Sequence, residues 1–353
     1  MPALSLPASP PPAVPPLGPL VAGYPRLVAD IGGTNARFAW LAQPGQPPAH
    51  LQTLAVPDHA GPAEAASAYL LGLKQRLGND WGAPRRAAFA VATAVAGDRV
   101  AFTNSRWDFS REAVRQALGL EALAIVNDFE ALALSLPHLA PSQWRAHPGH
   151  AVAPAPEAAV GTVLAVVGPG TGLGVGAVLR TRAGWQAVPG EGGHATLAAT
   201  DQLEAEVVTV VRRTYPHVSA ERLLSGIGLP MLHAALAEVQ GLGTVQPTTT
   251  EAIVATGVNA QDPLSAATLD LFCALLGSFA GNVALTLGAR GGLFIGGGIV
   301  PRFAERFFAS AFRARFEAKG RFRDYLAAVP TALITDTQAA LTGAALALDD
   351  GAA

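Results

Sequence analysis

Carboxylates, an amide and an imidazole stand in this chain close to glycine-rich turns, a set suited to holding a polyhydroxyl compound beside a phosphate. Asn127 and Asp128 lie where the apolar run "ALAIV" gives way to a helical pattern. In open α/β sheets ligands bind at that carboxyl end of a strand. An amide next to a carboxylate can hold vicinal hydroxyls, and the carboxylate can take a hydroxyl proton as its oxygen attacks phosphorus. The same position also suits a helix cap, with Asp128 closing a helix that begins at Phe129. "PGEGGHATLA" (189–198) sets Glu191 and His194 about two glycines, and both side chains make directional hydrogen bonds to hydroxyls. A metal reading of that cluster is weak, because no second histidine or cysteine pair lies nearby. Glu221, in "SAERLLSG", reads by itself as a first-turn glutamate favoured by the helix dipole.

Two further segments share one grammar. "LVADIGGTNARFAWL" (27–41) and "VLAVVGPGTGLGVGAVL" (163–179) each run apolar into a glycine turn and resume as a second apolar run. Each predicts a β-hairpin whose turn offers backbone N–H groups to phosphate. Gly32, Gly33, Gly168, Gly170, Gly172 and Gly174 are expected to supply positive φ, and Thr34 and Thr171 hydroxyl donors. Asp30 enters the first turn. Ordinary hairpin turns are the competing reading for either segment taken singly. "FIGGGIVP" (294–301) is a strand ending in Gly296, Gly297 and Gly298, which permits close approach of a flat ligand such as adenine, or is a plain tight turn. No GxxxxGK[ST] occurs. "GLGVGA" from Gly172 is followed by strand-like sequence, so the dinucleotide fingerprint lacks its helix.

The elements that must position these residues alternate. Apolar spacing predicts an amphipathic helix near 63–77, a strand over 87–95, a helix capped by Ser110 and ended by Gly119, and a strand at 122–126 running into a helix. Residues 141–159, rich in proline and alanine, read as a connection. Beyond the second hairpin, helices are expected near 201–213, 219–224, 230–239, 264–287 and 302–318, then a strand at 331–336 and a last helix. Strands alternating with helices mean an α/β fold. Residues 271–289 carry no charge and hold Gly277 and Gly281 at GxxxG spacing; a buried helix packed through its glycines is favoured over a membrane span.

With 353 residues, two lobes are the default. A net charge of −2, from 24 basic and 26 acidic residues, points to neither nucleic acid nor an acidic membrane. The single Cys273 excludes an intrachain disulfide. Residues 1–23, uncharged and proline-rich, lack the basic and apolar regions of a signal peptide and read as a disordered extension.

Taken in order along residues 24–348, these motifs resemble the bacterial glucokinase family, the kind without the zinc-binding repressor/kinase signature. "ADIGGTNAR" is similar to its first phosphate loop and "GPGTGLG" to its second. "IVNDF", "PGEGGH" and "SAERLLSG" are similar to its sugar-binding elements, and "FIGGGI" to its adenosine loop. The resemblance implies an α/β, actin-like (ribonuclease H-like) fold of two lobes around a central cleft. The small lobe would be 24–138 with a returning helix at 337–349, and the large lobe 139–336. It implies a cytoplasmic glucokinase of glycolysis, a transferase moving the γ-phosphoryl of ATP to the 6-hydroxyl of D-glucose. Asp128 would be the catalytic base, and Asn127, Asp128, Glu191, His194 and Glu221 would hold the sugar. ATP would lie against Ala29, Asp30, Ile31, Gly32, Gly33, Thr34, Asn35, Gly170, Thr171, Gly172, Gly296, Gly297 and Gly298. Mg²⁺ would be held mainly through ATP, with Asp30 a contact through water. A homodimer is implied, with no nucleic-acid or membrane partner. A kinase for another hexose, or a catalytically silent sugar sensor, is the alternative.

Overall fold

Strand β1 (Arg26–Ile31) carries apolar side chains on both faces apart from Arg26 and Asp30 near its two ends, which suits a strand covered on both sides. It folds back into β2 (Asn35–Leu41), with Asp30 opposite Arg37 and Ile31 opposite Ala36. In the computed structural model, which describes residues 23–102, 105–150 and 158–349, β3 (Ala49–Ala55) extends this hairpin at one edge. β4 (Arg86–Val91) joins β1 in parallel. A small ribbon of β5 (Arg99–Ala101) and β6 (Asp108–Ser110) follows, and then β7 (Ala122–Asn127), parallel to β4. The first sheet therefore has the order β3-β2-β1-β4-β7.

A second sheet repeats the plan. β9 (Val163–Pro169) and β10 (Leu173–Thr181) form its hairpin, β11 (Gly184–Val188) extends it, and β12 (Gly292–Ile295) and β13 (Thr331–Ile334) add in parallel. The short β8 (Trp144–Ala146) closes the far edge against β13, giving β11-β10-β9-β12-β13-β8.

Strand alternation sorts the cores. Ala87, Phe89 and Val91 face outward under α1 (Pro62–Leu77) and α2 (Arg111–Ala117). Ala88 and Ala90 face inward, and so do Leu164 and Val166 of the second sheet. Between these inner faces lie α3 (Asp128–Ser135) and α12 (Ala339–Ala347), which cross so closely that a side chain at Gly343 would run into the Ala131 carbonyl. The outer face of the second sheet is covered by α4 (Gln202–Arg212), α5 (Ala220–Leu223), α6 (Gly228–Val239), α7 (Thr250–Gly257), α8 (Pro263–Leu287), α9 (Ala304–Ala309), α10 (Phe312–Glu317) and α11 (Arg323–Ala327).

Several expectations change. The connection at 141–159 contains β8, so part of it is sheet. The proline-rich residues 1–22 and the stretch 151–157 lie outside the described residues. The helix expected over 302–318 is broken: Ser310 Oγ donates to the Phe307 carbonyl at 2.7 Å and accepts from the Phe312 N–H at 3.1 Å, ending α9 and starting α10. Strand β4 stops at Val91 and β12 at Ile295. Helix α7 was not anticipated, although Thr249 caps it through the Ala252 N–H. Helix α8 is long and apolar enough to cross a membrane by length and composition, yet 83% of its most apolar window is buried in the fold. Side chains at Gly277 and Gly281 would collide with the Phe312 and Phe316 carbonyls of α10, so the glycines set that helix contact.

Candidate active site

The carboxyl ends of β1 and β7 lie at the same end of the first sheet, on either side of β4. Asn127 closes β7 and caps α3: its Oδ1 accepts from the N–H of Phe129 at 2.8 Å and of Glu130 at 3.4 Å, and its Nδ2 donates to the Thr93 carbonyl at 3.1 Å. The capping role considered for Asp128 thus belongs to Asn127. Asp128 begins the helix, and its Oδ1 accepts from the Phe129 N–H at 2.9 Å. Burial pushes the Asp128 carboxyl up to about 7, and the negative charge of Asp30 adds to the rise, with Glu191 a smaller contributor. Burial also raises Asp30, against the pull of Arg37, whose Nη1 donates to Asp30 Oδ2 at 3.1 Å across the hairpin.

The turn after β11 carries Glu191 and His194, both about 60% exposed. His194 Nε2 lies 4.0 Å from Glu191 Oε2, and its Nδ1 lies 3.9 Å from Glu221 Oε1. Glu221, in the short α5, turns its other oxygen, Oε2, to accept the Leu173 N–H at 2.9 Å. A residue read as a helix-dipole glutamate is therefore bonded to the second hairpin. The structure brings Asp30, Asp128, Glu191, His194 and Glu221 into one neighbourhood.

Beside it opens a cleft of about 790 Å³. Asp30, Arg37, Asp128 and Phe129 line one side, and Gly170, Thr171, Gly226 and Ile227 another; Gly296, Gly297 and Gly298 line it further along. Gly32 donates its N–H to the Asn35 carbonyl at 2.9 Å, closing the first turn, and Thr34 accepts from Val56. The side chains of Ala29 and Ile31 point into the core and hold β1 in place, so they do not face the cleft. Gly172 lies against Glu221.

The expected reason for the glycines is corrected. Gly32, Gly168, Gly170, Gly172 and Gly174 do not adopt positive φ; of the three glycine turns, only Gly297 does, at +76°. At Gly168, Gly172 and Gly174 other groups occupy the side-chain space, whereas a Cβ at Gly170 would meet nothing and one at Gly32 only the Asn35 carbonyl at 3.6 Å. The Phe129 ring fills that space at Gly168 and Gly174, and Glu221 Oε2 fills it at Gly172.

Sequence reasoning missed Arg37, Ile227, Glu251 and Arg302, which also line the cleft. Glu251 and Arg302 pair at 3.2 Å. Arg37 was discoverable: in a hairpin with a turn of this length it falls directly across from Asp30. The other three become neighbours only through tertiary packing.

A family model described as Glucokinase matches residues 27–351. A curated glucokinase from Aromatoleum aromaticum is 49% identical over 332 residues, which is 94% of this chain and 96% of that relative. One from Paramagnetospirillum magneticum is 47% identical over 320 residues, 90% and 96% of the two chains. Among solved structures, a glucokinase from an Antarctic psychrotroph superposes with a TM-score of 0.81 at 36% identity, covering 93% of this chain and 99% of that one. With that coverage and the paired hairpin-led sheets, the chain belongs to the glucokinase family, ATP-dependent hexose kinases of the actin-like fold.

Proposed function

We propose that this chain carries out its family's reaction, transfer of the γ-phosphoryl of ATP to the 6-hydroxyl of D-glucose, with Asp128 as the base. The observation that carries the assignment is the Asp128 carboxyl lining the cleft, raised by burial and by Asp30, with Glu191 near enough to add to the rise and His194 and Glu221 beside Glu191. An ordinary aspartate, near 4, is a poor acceptor for an alcohol proton; one near 7 is better matched to the task. It accepts the proton late, as the attacking oxygen loses basicity on bonding to phosphorus.

Glu191, His194 and Glu221 offer acceptors and a ring nitrogen to the sugar hydroxyls. Asn127 has one amide hydrogen left after capping α3 and bonding Thr93, and that hydrogen can reach a sugar oxygen. ATP would lie with its phosphates between the Gly32–Asn35 turn and Gly170–Gly172, and its base by Gly296, Gly297 and Gly298 against Ile227. Positioning and charge stabilisation supply most of the rate in such transfers.

Mg²⁺ fits these residues. Asp30 and Asp128 put two hard oxygen donors on one wall, and among the described residues Arg37 is the cation paired with Asp30. Asp30 would hold the ion, directly or through water, and the bound cation would offset charge on the β- and γ-phosphates. Closure of two lobes, 24–138 with 337–349 against 139–336, would keep water from the γ-phosphate. Cytoplasmic residence, supply of glycolysis and a homodimeric state belong to this proposal; family membership supports them.

The test is phosphorylation of a hexose panel with ATP and Mg²⁺. Glucose 6-phosphate is expected from the native chain, with Asp128→Ala at least about 10²–10⁴-fold slower and still binding glucose. Near-native turnover in Asp128→Ala would remove that residue from the mechanism.

A further inference from the structure

Phe129 follows Asp128 directly, and its parts face two ways. Its N–H is bonded to Asp128 Oδ1 at 2.9 Å and to Asn127 Oδ1 at 2.8 Å. Its ring is wedged into the β9–β10 hairpin, where Gly168 and Gly174 leave both strands bare. A Cβ at either glycine would overlap the ring. On the next inward position of β10, a Cβ at Gly176 would lie 2.5 Å from the Phe129 carbonyl oxygen, so the backbone of α3 rests on the hairpin as well. The turn of this same hairpin presents Gly170 and Thr171 to the cleft. On its other side α3 is pressed by α12 at Gly343. The start of α3 is therefore fixed against the hairpin, so closure of the two lobes would pivot at this contact rather than open it.

We propose that Phe129 is a positioning residue for phosphoryl transfer: wedged between Gly168 and Gly174, it fixes the Asp128 carboxylate relative to the phosphate-facing turn of β9–β10. The inference rests on the reading of Asp128 as the base. A base and a phosphate turn carried on different elements need a rigid link, because a displacement of about 1 Å at a reacting group can cost roughly a hundredfold in rate. A plain core phenylalanine would stabilise the fold and leave the chemical step alone. A linking one controls kcat more than it controls binding, since the sugar-contacting Glu191, His194 and Glu221 sit on other segments.

Four chains separate these outcomes: Asp128→Asn, Phe129→Leu, Gly168→Ala, and the double variant Phe129→Leu with Gly168→Ala. A Cβ at Gly168 would meet Phe129 Cε1 and Cζ, atoms that leucine lacks, so in the double variant the added methyl occupies space the ring has left. For each, kcat, KM for glucose and for ATP, and Tm are measured. The expected result is that Phe129→Leu lowers kcat by about tenfold or more, with both KM values within about threefold, and that the double variant recovers part of kcat. Native kcat in Phe129→Leu, with only Tm lowered, would overturn the proposal. So would KM values that rise as much as kcat falls. If Phe129→Leu alone fails to fold, the double variant is read in its place against the same criteria. Turnover surviving in Asp128→Asn would instead defeat the underlying reading of the base, whatever Phe129 does.

Discussion

A carboxyl that titrates near 7 gives this site a pH dependence that an ordinary aspartate would not. In its proposed role as the base, Asp128 must be ionised to accept a proton, so kcat/KM for glucose should fall about tenfold per unit below pH 7. Asp30→Asn removes the neighbouring negative charge and should move that acid limb to lower pH; an unmoved limb would show that burial alone sets it. Stability follows the opposite sign from a salt-bridged aspartate. The carboxyl is raised from 3.8 to about 7, so the folded state binds more protons between those values and loses stability as pH rises through that window. Asp128→Asn should therefore melt higher than the native chain at pH 8, with the gap closing toward pH 4; equal Tm values at pH 8 would contradict this. Asp128, Glu191 and His194 could be nominated from their types beside glycine turns or a strand end, whereas Glu221 entered only through the family resemblance, since alone it reads as a first-turn glutamate. Their division of labour was not legible: Asn127 and Asp128 are both good caps, and only the first hydrogen bonds of α3 decide between them. Arg37 went unnoticed because its meaning lies in hairpin register.

Among the elements, glycine has two opposite uses here, which sequence does not distinguish. Gly72 lies in α1 with no neighbour near its missing side chain, whereas Gly277 in α8 faces the Phe312 carbonyl. Gly72→Ala should stabilise the fold by about 0.5–1 kcal/mol, because alanine loses less backbone entropy in a helix. Gly277→Ala should destabilise it by about 1–3 kcal/mol through forced separation of α8 and α10. Urea unfolding of both variants checks the pair, and shifts of the same sign would refute the distinction. The two hairpins, β4, β7 and α8 were legible because their apolar runs end at glycine, proline or capping residues, whereas β3, with alternate residues exposed, was not. The break between α9 and α10 was not, since Phe307, Phe308, Phe312 and Phe316 continue an apolar pattern across it. Only the Ser310 hydroxyl, by bonding backbone on both sides, ends one helix and begins the next. The short β8 escaped notice because its three residues gain strand character from β13 alone.

The described residues are organised around two similarly ordered sheets, of five and six strands, whose inner faces share α3 and α12 as a common middle layer. Leu341 and Leu348 are each 1% exposed, and burying a leucine fully is worth about 1.5–3 kcal/mol. Ending the chain at residue 338 removes both and uncovers α3 and parts of both sheets, a loss comparable to the stability of a typical domain. The shortened chain should fail to show a cooperative melt; a native Tm would refute the shared-layer account. Arg26, at the start of β1, ties this layer down: its Nη1 donates to the Ala345 carbonyl at 3.2 Å, and Nη2 to Asp349 Oδ1 at 2.6 Å. Arg86 adds a bond to the Leu348 carbonyl at 2.9 Å. These partners are separated by 319 and 323 residues for Arg26 and by 262 for Arg86. During synthesis on a ribosome, β1 emerges early and must wait for nearly all of the described chain before its covering helix exists. Until α12 leaves the exit tunnel, α3, which carries Asp128, has one flank uncovered. The cleft wall around Asp128 is therefore finished only once α12 has docked, and a nascent chain stalled before residue 339 should hold no working site.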